Sequence, residues 1–175
     1  LQKVGASAFR ESKITEANFP NLTAMGERAF SNISALTSVT FGGVTEMGDY
    51  AFYNSNNITD ATFGIGTTLI GDYAFASNEM REALTDVSLP DSVTYIGTAA
   101  FMYSDNLTSI NLSGVKTVEA FAFRYASKLS SADLSGIERI GARAFDHTAF
   151  TTANLAAAEY VGEYAFLSVP LTSVT

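Results

Sequence analysis

One dipeptide constrains this chain more than any other feature. Ala-Phe recurs at residues 8–9, 29–30, 51–52, 74–75, 100–101, 122–123, 144–145 and 165–166, so that successive phenylalanines follow at intervals of 21, 22, 23, 26, 22, 22 and 21 positions. Self-similarity at such a period marks a stacked-repeat architecture. A unit this short cannot bury an apolar face alone, so its neighbours along the stack must cover it.

The string around Ala-Phe is also regular. Gly stands four residues before the Phe in seven copies (Gly5, Gly26, Gly48, Gly71, Gly97, Gly141, Gly162), and Glu119 takes that place in the sixth. An apolar residue precedes it in every copy, from Val4 through Ile70 to Val161. G-D-Y-A-F appears at Gly48–Phe52 and Gly71–Phe75, and G-E-Y-A-F at Gly162–Phe166. The Gly is expected to turn the chain. Glu27, Asp49, Asp72 and Glu163 follow it, where the unpaired N–H groups of a short helical turn favour carboxylates. Ala-Phe then feeds the core.

A second module falls between these strings. It reads Leu36-Thr-Ser-Val-Thr-Phe41, Leu84-Thr-Asp-Val-Ser-Leu89 and Leu107-Thr-Ser-Ile-Asn-Leu112. Its apolar and polar residues alternate as a half-buried strand requires. Gly42-Gly43, Pro90-Asp91, Ser113-Gly114 and Ser135-Gly136 follow as turn residues. Strands of successive repeats would pair in parallel about 4.8 Å apart, giving a rod roughly 35–40 Å long with a phenylalanine spine inside.

Composition narrows the partners. Only 16% of the 175 residues are charged, against about 25% in a typical domain, so Ser, Thr and Asn must cover much of the surface. A net charge of −8 with no basic stripe speaks against nucleic acid and against anionic membrane surfaces. Without cysteine there is no disulfide framework, thiolate metal site or cysteine nucleophile. No apolar run approaches the ~18 residues of a membrane span, and no signal peptide is visible at Leu1. The chain opens in mid-pattern and stops in the strand Leu171–Thr175, so it reads as a segment of a longer protein. The uncovered last strand allows weak end-to-end association of an otherwise monomeric rod.

The module places two rows of side chains outward. The first contains Glu16, Ser38, Asp60, Asp86, Ser109, Ser131, Thr152 and Ser173; the second contains Asn18, Thr40, Thr62, Ser88, Asn111, Asp133, Asn154 and Thr175. The candidate interaction face is their middle part: Ser38, Thr40, Asp60, Thr62, Asp86, Ser88, Ser109, Asn111, Ser131 and Asp133. It offers hydrogen bonds to a protein or glycan, or else is simply a solvated, β-favouring face, since it lacks the aromatic and Arg anchors of most interfaces. Asp60 and Asp86 lie on neighbouring strands, about 5 Å apart, and are either a solvated pair or two of the six or more oxygens that calcium needs.

Tyr50, Tyr53, Tyr73, Tyr103 and Tyr125 make a secondary candidate patch beside the spine. They either contact a partner or fill space between repeats. The loop Ala76–Ala83, with Glu79-Met80-Arg81-Glu82, explains the 26-residue interval and reads as tolerated drift or a binding insertion. Catalysis has little support. His147 follows Asp146 in a polar loop and reads as solvent-exposed, and Gly64-Ile-Gly66 lacks both the spacing and the lysine of a phosphate loop. No cofactor or metal is called for. The N-x-S/T strings at Asn21, Asn32, Asn57, Asn106 and Asn111 read as by-products of the repeat.

The L-x-x-V-x-F/L module followed by apolar-Gly-x-x-Ala-Phe resembles the BspA-type leucine-rich repeats over essentially the whole chain. That resemblance implies a leucine-rich-repeat-like solenoid forming one domain over residues 1–175. It would be right-handed and slightly curved, with parallel strands on one face and short helical turns carrying the Phe spine on the other. It also implies a surface or secreted, adhesin-like, non-enzymatic protein that binds host matrix proteins, other microbes or glycans. A glycan-binding module and a structural spacer stay open beside it. The regular Asn ladder of ordinary leucine-rich repeats is missing, and Val44, Val115 and Ile137 stand near its place.

Overall fold

The structure, a computed structural model, describes residues 1–77 and 83–175. The chain winds into about eight coils, and every strand pairing between coils is parallel. The module strands Glu16–Phe19, Ser38–Phe41, Asp60–Phe63 and Asp86–Ser88 form a four-stranded sheet in strict register. The row continues as a single bridge between Ser109 and Ser131, then as the pair Thr152–Ala153 and Ser173–Val174.

The apolar-Gly strings form a second face of two-residue strands. Lys3–Val4, Ala24–Met25 and Glu46–Met47 make one sheet. Leu69–Ile70, Tyr95–Ile96, Thr117–Val118, Arg139–Ile140 and Tyr160–Val161 make the other.

The third face departs from expectation. No helix occurs among the described residues, and the Ala-Phe segments are runs of turns. An α-helix is about 10 Å across, twice the spacing of paired strands, so one helix per coil cannot stack at strand distance in a straight rod. The backbone instead divides its N–H groups. Ala8 N donates to Gly5 O (3.3 Å) and Arg10 N to Ser7 O (3.1 Å), whereas Ser7, Phe9 and Glu11 donate to Glu27, Ala29 and Ser31 of the next coil at 2.8, 2.9 and 3.0 Å. The same alternation recurs down the array: Phe52 N reaches Ala74 O and Phe123 N reaches Ala144 O.

This alternation uses left-handed residues, and they are not glycines. Arg28, Tyr50, Tyr73, Ala99, Phe121, Arg143 and Tyr164 all have φ between 52° and 62°. The motif Gly opens the turn, its carbonyl accepting from the Ala three residues on, as Gly71 O does from Ala74 N at 3.3 Å. It does not supply the left-handed conformation: Gly66 is the one glycine of positive φ among the described residues. Gly48 is required by close approach, because a Cβ there would strike the Glu27 nitrogen of the preceding coil. One of the acids after the Gly, Asp72, serves the stack rather than a helix. Asp72 Oδ1 accepts from Thr98 N of the next coil at 2.7 Å.

The spine is as expected. Phe9, Phe30, Phe52, Phe75, Phe101, Phe123, Phe145 and Phe166 form one column of stacked rings, with centroids 4.8–5.6 Å apart and planes within 14°. Val44, Val115 and Ile137 are fully buried beside it.

Threonine does part of the work of the missing Asn ladder. At the module's second position, Thr37 Oγ1 donates to Thr15 O, Thr59 to Thr37 O and Thr85 to Thr59 O, at 3.1–3.2 Å. A buried serine adds a clasp: Ser55 Oγ donates to Phe30 O (2.7 Å) and accepts from Ile33 N (3.0 Å). Ser55→Ala strands both backbone groups in the core, so chemical denaturation should show a loss of about 1–3 kcal/mol. A variant as stable as wild type would mean that this clasp is dispensable.

Candidate interaction surfaces

The strand face carries its rows as the register dictates. Ser38, Asp60 and Asp86 are successive partners, as are Thr40, Thr62 and Ser88. Ser109 and Ser131 form a separate pair further along. All ten candidates are exposed except Ser38, which is half-buried.

Some of these side chains already have local partners. Asn111 Nδ2 donates to Leu89 O (3.2 Å) and Asp91 Oδ1 (3.0 Å). Asp133 Oδ1 accepts from Ser135 N at 2.9 Å. Hydrogen bonds from Ser113 and Asn111 hold the Asp91 carboxyl below its usual pKa, and Ser135 does the same for Asp133. Asp60 and Asp86 are register partners, but among the described residues no group of three or more His, Cys, Asp or Glu is placed to hold a metal ion.

The five tyrosines lie on the turn face, all half-buried. Tyr50 and Tyr73 stack at 4.8 Å and 4°, Tyr53 meets Tyr50 edge-on at 5.4 Å, and the Arg28 guanidinium lies 4.3 Å from the Tyr50 ring centroid. Tyr103 and Tyr125 stack at 5.2 Å and 1°. The five rings thus form two groups rather than one patch. On the adjoining Gly-side face, Tyr95 is half-buried. Burial first, then Glu119, Asp72 and Asp49, push its phenol pKa up.

A third feature escapes a reading along the chain. Asp146 is completely buried, and its Oδ2 accepts from Arg124 Nε (3.1 Å) and Arg143 NH1 (3.2 Å). Its Oδ1 lies 2.6 Å from His147 Nδ1. The His147 ring packs 4.7 Å from Tyr125, so this histidine is half-buried in a charged cluster rather than free in a loop. Arg124 stands one repeat period before Asp146, so the signal was vertical: a cation and an acid at one position in successive coils. The insertion residues Glu79-Met80-Arg81-Glu82 lie outside the described residues.

Coils of parallel strands with this repeat define a leucine-rich-repeat solenoid. The BspA type leucine-rich repeat region matches residues 1–81 and 79–175 in 6 copies; the chain belongs to that family. No curated protein matches it. Solved structures do. A leucine-rich repeat protein from Bacteroides ovatus ATCC 8483 superimposes with a TM-score of 0.83 at 23% identity, covering 100% of this chain and 46% of that one. A leucine rich cell surface protein from Faecalibacterium prausnitzii A2-165 gives 0.81 at 28% identity, covering 94% and 48%. The leucine-rich repeat protein of T. pallidum gives 0.68 at 20% identity, covering 95% and 80%. The chain spans about half the length of the first two.

Proposed function

We propose that this array is a non-enzymatic interaction module, displayed at a cell surface or secreted, that binds a macromolecule of a host or neighbouring cell in the manner of an adhesin. Its likeness to a protein named as a leucine rich cell surface protein, at 28% identity over 94% of the chain, carries the reading. The geometry supports it. Residue rows repeat at strand spacing along the rod, so a long partner meets many equivalent contacts at once. No described helix is long and apolar enough to cross a membrane.

The test is capture by the immobilised array from separate panels of purified matrix proteins, microbial surface proteins and glycans. Saturable binding of a protein is expected. Binding of glycans alone would replace the reading by a glycan module, and binding of nothing would leave a spacer.

A further inference from the structure

Resting on that interaction reading, we propose that the partner docks on the turn face, at the cluster of Arg124, Arg143 and His147 held by Asp146, and that this site takes a carboxylate of an acidic polypeptide segment. Two guanidiniums share one buried carboxylate oxygen, so the cluster keeps an excess positive charge within a chain of net charge −8. Among the described residues neither guanidinium pairs with a second carboxylate. Both side chains stay partly open, at 26% and 31% exposure, and His147 at 43%. Asp146 therefore holds Arg124 Nε and Arg143 NH1, while the Arg143 guanidinium also packs 4.7 Å from the Tyr164 ring centroid; the part of each guanidinium that stays open can meet a ligand. Such preorganisation lowers the ordering cost of binding, and planar guanidiniums match carboxylates in two-point contacts.

Tyr125 completes the site. Its hydroxyl accepts from Arg124 NH2 at 3.2 Å. Tyr103 covers one ring face, while His147 and the Arg124 guanidinium, 4.6 Å from the centroid, pack against the ring as well. The ring thus shows solvent its edge, and the positive edge of an aromatic quadrupole suits an anion. A sugar would need a free ring face to stack on, which favours a polypeptide over a glycan. The strand face points the same way. Its outward rows carry Glu16, Asp60, Asp86 and Asp133 with no Lys or Arg, so they offer an acidic segment no cation. The turn face also carries Glu27, Asp49, Asp72 and Glu163, but it brings two arginines together at Asp146.

The experiment is fluorescence anisotropy of a labelled oligoglutamate peptide titrated with the full chain, with oligolysine and polygalacturonate as the other probes. Oligoglutamate should bind, weakening as salt rises. Arg143→Gln should weaken it about tenfold or more, and Asp60→Asn with Asp86→Asn should not weaken it. Thermal unfolding of each variant separates lost binding from lost fold; where Arg143→Gln melts early, Arg143→Lys reads the same site, keeping charge but losing two-point contact. No oligoglutamate binding, unchanged binding in a folded Arg143 variant, or binding of polygalacturonate alone overturns the site. A protein partner captured by the array whose binding survives Arg143→Gln but falls with strand-face substitutions overturns this site and leaves the interaction module standing.

Discussion

Replacing Phe101 by alanine will lower the unfolding free energy by about 3–5 kcal/mol, a large part of the roughly 5–15 kcal/mol that holds a typical domain. The Phe101 ring is fully buried, and both its faces are covered, by Phe75 at 5.4 Å and Phe123 at 5.3 Å, with planes within 7°. Truncation removes both stacking contacts and leaves a void between coils whose backbones are pinned to one another. Phe101 N donates to Ala122 O, and Phe75 N to Ala100 O, each at 2.8 Å. The coils therefore cannot close up on the hole. Phe166→Ala, in the last described coil, removes a half-buried ring stacked on Phe145 alone and should cost clearly less. Denaturant midpoints of the two variants measure the difference. Phe101→Ala within about 1 kcal/mol of wild type, the ordinary effect of a point substitution, would contradict a load-sharing spine.

Asp146→Ala carries the second largest expected loss, about 2–4 kcal/mol. Removing one partner of a buried ion pair costs about 3–5 kcal/mol. The value is set lower here because Arg124 and Arg143 keep 26% and 31% of their side-chain surface in water and can turn outward. The comparison with Asp146→Ser is informative, since Ser31 fills the same place in the second coil and donates to Arg28 O at 3.1 Å. Serine should recover little of the loss, because two guanidiniums still lack their acceptor. Thermal and denaturant unfolding of the alanine and serine variants, alone and with Arg124→Ala, gives the coupling. Equal losses for Asp146→Ala with and without Arg124 would show that the pair does not couple the sixth and seventh coils.

The fold was legible because its strongest signals are short-range and repeated. The alternation in Leu36–Phe41 states which side chains face inward, and Val39 and Phe41 are buried while Thr40 is exposed. The Ala-Phe period states that the phenylalanines share one column. The conformation of the turn face was not legible. Gly-x-x-Ala-Phe has the spacing of a helical turn, and only the distance between coils forbids a helix. Nor do Tyr50, Tyr73 and Arg143 announce a left-handed backbone, a conformation usually left to Gly, Asn or Asp. Inter-coil hydrogen bonds such as Tyr50 N to Asp72 O, at 2.8 Å, hold them there.

The candidate surfaces divide in the same way. The strand rows follow from alternation alone, so Ser38, Asp60 and Asp86 fall in line. The local engagement of Asn111 and Asp133 does not follow, because it depends on how the turns at Asp91, Ser113 and Ser135 fold back. Asp146 and His147 looked inert when read along the chain. Their meaning appears only when the sequence is read one period at a time, with Arg124 beneath Asp146 and Tyr125 beneath His147.

That each coil is an exchangeable unit held by its two neighbours is tested most directly by excision. Deleting residues 102–123, one 22-residue period, joins Phe101 to Arg124 in perfect repeat register and should leave a folded, cooperatively unfolding array, since stability in stacked repeats is a sum over units and interfaces. Deleting residues 102–112, half a period, breaks the register of every later strand and should abolish cooperative unfolding. Circular dichroism with denaturant titration reads both. A whole-coil deletion that unfolds as completely as the half-coil deletion would contradict the stacked-coil account.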